Sequence, residues 1–426
     1  MKNSQSPYRS ISLIALLGLF MIGCGSKQQK ADSKVIEIIS SGSWKWQFEL
    51  GKTELCVPAT LNLKGDSLVF TIQNAEERIP VTEIVRQGDS LFMKLPVFDT
   101  EIKARVASSD SLQGFWQDYS RKGTYRIPFT ASFSPTEATC MPEQPAGPME
   151  DFGGKWAVRF GPDTENPERA IGIFEQQGNQ LTGTFRTETG DYRYLSGWVD
   201  NDQLYLSTFD GSHAFVFTGT WEESRIRGTF YSGNHYTETW IAKRDENASL
   251  RSAESLTYLK PGYDRLAFAF PNLEGDTVSL TDEQFKGKVV VVQLMGSWCP
   301  NCMDETKLFT QWHNEYHDQG LEMVALAFER SDSFEQAAKR VGRLKDHFGS
   351  QYEFLIAGQA SKKEAAAKLP MLNHVMSFPT SIFIDRNGRI RKIHTGFNGP
   401  GTGKAYQTFV EEYQILLEEM LKPDAL

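Results

Sequence analysis

The chain has 426 residues, too many for one compact domain; at roughly 150 residues per domain, two or three are expected. Apolar residues make up 40% and charged residues 23%, enough to build cores, which excludes wholesale disorder. Forty-five basic against 54 acidic residues leave a net charge of −9. That balance argues against nucleic acid or an anionic membrane surface as the main partner, because both reward clustered Lys and Arg.

Lys2 and Arg9 precede an apolar run, Ile11 to Ile22, that stops at Gly23-Cys24. A run this short cannot cross a bilayer, which takes about 20 residues. A basic start with a short apolar core is the pattern of an export signal. Its end, Met21-Ile22-Gly23-Cys24, resembles a bacterial lipobox. The resemblance implies a signal peptide over 1–23, lipid on Cys24 and a polar tether over 24–40. The chain would then be lipid-anchored in the cell envelope, on the periplasmic side or at the outer membrane or cell surface. Cys56, Cys140, Cys299 and Cys302 remain, in a compartment that oxidises thiols. Cys56 and Cys140 could form one structural disulfide or stay as two buried thiols.

From about Gly42 to Ala242 the sequence runs in short alternating segments punctuated by Gly, Asn and Asp-Ser. Leu68-Val69-Phe70-Thr71-Ile72 and Leu181-Thr182-Gly183-Thr184-Phe185 are examples. Such period-two runs predict an antiparallel barrel or sandwich. The region also repeats. Gly42-Ser43-Trp44 returns as Gly154-Lys155-Trp156, and Asp89-Ser90-Leu91-Phe92-Met93 as Asp202-Gln203-Leu204-Tyr205-Leu206. Ser111-Leu112-Gln113-Gly114 returns as Arg225-Ile226-Arg227-Gly228. Three signatures in the same order imply a duplication, with copies over 41–133 and 150–246, each a meander of about seven or eight strands. The linker between them, Ser134 to Met149, holds Pro135, Pro142, Pro145 and Pro148. Trp44, Trp46, Trp116, Trp156, Trp198 and Trp240 are expected to close the barrels rather than bind a ligand.

After a polar connector over 247–265 the pattern becomes strand alternating with helix. Val289 to Met295 is a continuous apolar run, the mark of a strand covered on both faces. Leu308, Phe309, Trp312 and Tyr316 make one helical stripe, and Leu321 to Phe328 a second buried strand. Phe334, Ala337, Val341, Leu344 and Phe348 predict another helix, and Ser361 with Glu364 a capping box opening a third. Ser381 to Ile384 and Arg389 to His394 flank the turn Asp385-Arg386-Asn387-Gly388, a hairpin. Tyr406, Phe409, Tyr413, Leu417 and Met420 line a final helix stopped by Pro423. The expected fold is therefore multidomain, all-β repeats followed by an α/β domain over 262–426.

Trp298-Cys299-Pro300-Asn301-Cys302 falls between the first buried strand and the next helix. A Cys at a helix N-terminus faces unpaired backbone N–H groups and the positive end of the dipole, which favour thiolate over thiol. A second Cys three residues on can displace whatever the first captures. A zinc site needs four ligands, and no second pair stands nearby; His313 and His317 lie two or more turns below the Cys pair. No metal and no cofactor are expected.

Three features make the segment from about Pro261 onward similar to thioredoxin-fold, TlpA/ResA-like extracytoplasmic reductases. They are Gly296-Ser297-Trp298-Cys299-Pro300-Asn301-Cys302 after a Val-rich strand, Glu305, and Phe378-Pro379-Thr380 leading into Ile382-Phe383-Ile384-Asp385. The resemblance implies that Cys299 attacks and Cys302 resolves, passing through a Cys299–Cys302 redox disulfide. It further implies that Pro379 is cis and shapes the docking surface, that Glu305 accepts a proton from Cys302, and that Trp298 covers the site. Gln293 replaces the family's buried acid or Asn, which removes that proton relay. Lys307 stands where many relatives have a helix-kinking Pro and leaves the helix geometry open. Peroxiredoxins share the fold, but Gly-Ser-Trp-Cys argues against peroxidase activity. The implied partners are exported proteins with disulfides and a membrane thiol-electron donor. Two other readings stand beside the reductase: a ligand-binding lipoprotein acting through its β module, and a disulfide oxidase or isomerase.

Overall fold

Alternating runs become strands wherever one face is buried, and the first such run sets the pattern: Trp44, Trp46 and Phe48 point inward while their neighbours stay partly exposed. The computed structural model describes residues 39–64, 67–121, 123–141 and 148–422. The expected leader 1–23, Cys24, most of the tether, Pro142, Pro145 and Pro423 lie outside the described residues.

The first sheet contains β1 (Gly42–Glu49), β2 (Glu54–Lys64), β3 (Ser67–Asn74), β4 (Glu77–Val81), β5 (Glu83–Gln87), β6 (Ser90–Lys94), β7 (Thr100–Ser108), β8 (Ser111–Asp118) and β9 (Tyr125–Ser134). It has nine strands where seven or eight were expected, in the order β4-β3-β2-β1-β9-β8-β7-β6-β5. The two edges are consecutive in the chain with only Thr82 between them, so the sheet curls until its edges meet. The extra strand comes from a break in one long one. Pro80 lies in β4 and has no N–H to donate to a second neighbour. The first half therefore pairs with β3 and the second with β6.

A second sheet closes fully as an eight-stranded barrel: β10 (Gly154–Phe160), β11 (Glu168–Gln177), β12 (Gln180–Thr187), β13 (Leu195–Asp200), β14 (Gln203–Phe209), β15 (Ala214–Glu222), β16 (Arg225–Ser232) and β17 (Tyr236–Arg244). Here β13 is unbroken and pairs with both neighbours. The two sheets are compatible with a duplication down to single bonds. Trp44 Nε1 donates to the carbonyl of Ser40, and Trp156 Nε1 to the carbonyl of Phe152, each four residues back at 2.9 Å. Gly114 and Gly228 each press their Cα against a backbone carbonyl of the preceding strand, Lys103 O and Thr218 O, where any Cβ would collide. Trp44, Trp46, Trp116, Trp156 and Trp240 are buried core, while Trp198 is half-buried and stacks on Tyr205.

The third unit starts with the hairpin β18 (Ala269–Pro271) and β19 (Thr277–Ser279). There follow β20 (Val289–Met295), α1 (Pro300–Tyr316), β21 (Leu321–Glu329), α2 (Phe334–Phe348), β22 (Glu353–Gln359), α3 (Lys362–Lys368), β23 (Thr380–Ile384), β24 (Ile390–Thr395) and α4 (Lys404–Leu421). The sheet order is β22-β21-β20-β23-β24, with β20, β21 and β22 parallel and the last two strands antiparallel. The α/β alternation matches expectation except for β22, whose four-residue apolar run Phe354 to Ala357 is too short to stand out between two helices. The Ser361 cap is half of the expected box. Its hydroxyl accepts from Glu364 N, but the Glu364 carboxylate turns to Gln359 N instead. Helix α1 runs through Lys307 without a break.

The three units pack on one another. Phe209 and Val216 of the second barrel join the core of the first sheet, with Phe48 and Phe209 stacked at 4.4 Å. Arg340 on α2 bonds Asp99 at 2.9 Å and the carbonyl of Tyr119 at 3.0 Å. Cys56 in β2 and Cys140 after β9 are joined in a disulfide.

Candidate active site

The register of two strands builds the site. β20 and β23 run antiparallel with Leu294 opposite Thr380, so the exit of one strand lies beside the entry of the other. The loop carrying the Cys pair and the segment before β23 are thereby brought together. Cys299 is the N-cap of α1, with extended backbone, and Pro300 takes the first helical position, where a missing N–H costs nothing. The Cys299 sulfur accepts from Cys302 N at 3.4 Å and lies 3.6 Å from the carbonyl of Phe378. The Phe378–Pro379 peptide is cis.

The two thiols are free and differ in access: Cys299 is 8% exposed and Cys302 fully buried. Burial, then the contact with Cys299, pushes the Cys302 thiol well above its ordinary value. Cys302 therefore stays protonated at neutral pH, and the outward sulfur is the one a partner can reach.

Glu305 lies one turn further along the helix and is completely buried. Its oxygens accept from Ser381 Oγ at 2.5 Å and Gln293 Nε2 at 2.8 Å. Burial lifts its carboxyl to about 8 in spite of those two donors. Its link to Cys302 is through space: once ionised, it raises the thiol further. Gln293, which cannot carry a proton as an acid would, acts as a bracket instead. Its amide also reaches the carbonyl of Cys302 at 3.3 Å and accepts from Thr306 at 3.1 Å.

Trp298 is half-buried, edge-on to Phe378, with its Nε1 on the carbonyl of Phe328 and the Arg330 guanidinium 4.1 Å above its ring. Sequence reasoning missed Glu329. This buried carboxyl accepts from both N and Oγ of Ser297, each at 2.7 Å, and so fixes the strand-to-helix loop. Burial raises it to about 7.

The largest omission concerns the barrels. The loop between β12 and β13 reaches the site. Thr189 O accepts from Ser377 Oγ at 2.9 Å, and Gly190 sits so close to Asn301 that a Cβ would strike its amide. Ser212 Oγ donates to the carbonyl of Trp298 at 3.1 Å. Arg193, buried in the β12–β13 loop, bonds Asp304 on α1 and Glu77 in β4, with Asp210 4.0 Å away. One guanidinium thus joins all three units beside the Cys pair. Burial lifts Asp304 to about 7 although Arg193 pulls it down. A lone Arg in a loop carries no pattern that a sequence reader could use.

The family model described as AhpC/TSA matches residues 261–393. The chain is 28% identical over 197 residues to the thiol-disulfide oxidoreductase ResA of Halalkalibacterium halodurans, a match covering 46% of this chain and 87% of that protein. It is 31% identical over 138 residues to the thioredoxin-like protein YneN of Bacillus subtilis, covering 32% and 73%. Among solved structures, a thiol:disulfide interchange protein of the thioredoxin family from Chlorobium tepidum aligns at 17% identity, covering 41% of this chain and all of that one with a TM-score of 0.29. Taken with the Cys pair at the N-terminus of α1, these matches assign the chain to the thioredoxin-like AhpC/TSA family, and it is a thiol–disulfide oxidoreductase.

Proposed function

We propose that the chain is a reductase working outside the cytoplasm, tethered through lipid on Cys24, that reduces disulfides of exported proteins. The observation that carries this reading is the division of labour in the Cys pair: one sulfur accessible at a helix N-cap, the other buried and held protonated next to Glu305. In the first step the Cys299 thiolate attacks a substrate disulfide, forming a mixed disulfide and expelling one substrate sulfur as thiolate. In the second, Cys302 gives up its proton and attacks the Cys299 sulfur, which frees the second substrate thiolate and closes Cys299–Cys302. The substrate gains two electrons and the pair loses two, to be restored by a membrane dithiol donor. Glu305 can take the Cys302 proton once it is itself ionised, and Pro379 and Trp298 frame the groove that the substrate enters.

The β units narrow that groove. Thr189, Gly190 and Ser212 stand around Asn301 and Trp298, so a substrate has to fit between the barrel loop and the thioredoxin surface. This supports a selecting role for the β module. A ligand inside either β unit has little support, because aromatic side chains fill both interiors, Trp44, Trp46 and Phe70 in the first and Phe185, Phe217 and Trp240 in the second. A cavity of about 1100 Å³ between the second barrel and the third unit, lined by Ile171, Arg186, Tyr194, Phe397 and Phe409, favours the binding-protein reading instead.

The test is turnover and capture. Purified protein supplied with dithiol should reduce a model disulfide, Cys299→Ser should abolish this, and Cys302→Ser should hold exported proteins as stable mixed disulfides. Undiminished turnover by Cys299→Ser would overturn the assignment. A reduction potential near about −120 mV would mark an oxidase, and one near or below about −270 mV a reductase.

A further inference from the structure

The far end of α1 carries a cluster that the redox chemistry does not use. His313 lies in the last turn of the helix and His317 is its C-cap, four residues on, so both rings project from one face with centroids 4.7 Å apart. Glu322, the second residue of β21, reaches the same place. Its carboxylate lies 3.4 Å from His317 Nδ1 and 3.9 Å from His313 Nε2. One ring nitrogen from each His and one Glu322 oxygen all lie within 4.8 Å of one another.

His313 is only 5% exposed, and neither of its ring nitrogens has a hydrogen-bond partner among the described residues. Leaving a buried polar group unpaired costs about 1–3 kcal/mol, so such a group calls for an explanation. A protonated His313 paired with Glu322 is not one. At 3.9 Å the two are too far apart for a hydrogen bond. The His313 ring faces a carboxylate and a second imidazole.

We propose that His313, His317 and Glu322 bind a divalent transition-metal cation of the Zn²⁺ class, clipping the end of the helix that carries the Cys pair to the start of β21. Two imidazoles and one carboxylate form a donor set that such ions take. Around a tetrahedral ion with bonds of about 2.0–2.1 Å, ligand atoms sit about 3.3 Å apart. His317 (side chain 48% exposed) and Glu322 at the rim can close that gap by rotating while His313 stays fixed. The exposed side leaves the fourth position to water.

Thiols would compete for the metal, so the experiment uses the tag-free chain with Cys299→Ser and Cys302→Ser. Zn²⁺ is titrated by calorimetry and Co²⁺ by its visible spectrum. The expected result is one Zn²⁺ per chain and a tetrahedral Co²⁺ spectrum without thiolate charge-transfer bands. His317→Ala and Glu322→Gln should each weaken Zn²⁺ binding at least about tenfold. Both side chains reach solvent, so the metal-free melting temperature of these variants should stay within a few degrees of the parent. Absence of binding in the parent, or unchanged affinity in both folded variants, would overturn the proposal.

Discussion

Arg193, in a loop of the second barrel, bonds Asp304, the residue just before Glu305 on the helix that carries both active-site sulfurs. The guanidinium is buried, Asp304 nearly so, and the contact includes Glu77 of the first sheet, so the β units hold the redox helix directly. Removing one partner of a buried ion pair leaves charge without compensation, which typically costs about 3–5 kcal/mol. Arg193→Met should lower the unfolding midpoint accordingly. The freed Asp304 and Asp210 would rise in pKa and take up protons, so the loss should be smaller at pH 6 than at pH 8. Denaturant titrations at the two pH values measure this, and an equal midpoint for variant and parent at pH 8 would count against the network.

Glu305 gives a second pH dependence with a definite sign. Its carboxyl sits at about 8 in the folded chain against an ordinary value near 4.5. Between those values the native state holds a proton that the unfolded state has released. Stability should therefore be complete below about pH 4.5 and fall as pH rises toward 8, by up to about 1.4 kcal/mol per pH unit from this group. Glu305→Gln should flatten the curve by that amount. Glu329 and Asp304 contribute slopes of the same sign up to about 7, so the variant is compared with the parent and not with zero.

The same group sets a kinetic expectation. If Glu305 accepts the Cys302 proton, release of a trapped substrate should accelerate as pH rises through about 8, where the carboxyl ionises. Glu305→Gln should remove that inflection while leaving the first attack by Cys299 unaffected. Stopped-flow measurement of the two steps separates them.

Access predicts the order of thiol modification. Cys299 keeps 8% exposure and Cys302 none, so limiting iodoacetamide should label Cys299 first, with Cys302 labelled at a rate set by opening of the site. Peptide mass spectrometry at short times reads the ratio; equal labelling would show that the burial difference is not maintained in solution.

The Cys56–Cys140 bond spans 84 residues of sequence. Closing a loop of that size in the unfolded chain accounts for roughly 4–5 kcal/mol on the chain-entropy estimate. Replacing both residues with Ala should lower the melting temperature markedly, while thiol–disulfide exchange at 25 °C persists because the bond belongs to the first sheet and Cys299 to the third unit. Loss of activity in a folded variant would contradict this.

Local chemistry made much of this protein readable from its sequence. Val289 to Met295, apolar but for Gln293, reads as a strand covered on both faces, and all seven residues are buried. Cys299-Pro300-Asn301-Cys302 directly after it had to open a helix, because Pro fits the first turn and the cap needs an acceptor. The repeated Trp and Gly signatures likewise encoded two similar β units. Other features depended on distance through the chain. The strand break at Thr82 depends on which neighbour Pro80 faces, and the role of Gln293 on a carboxylate twelve residues away that Ser381 also holds. Arg193 meets Asp304 only because the barrel loop folds over the third unit. Sequence periodicity records which face of an element is buried, but not what lies against it; burial of charge, and the proton affinities that follow, exist only once those separate segments are packed together.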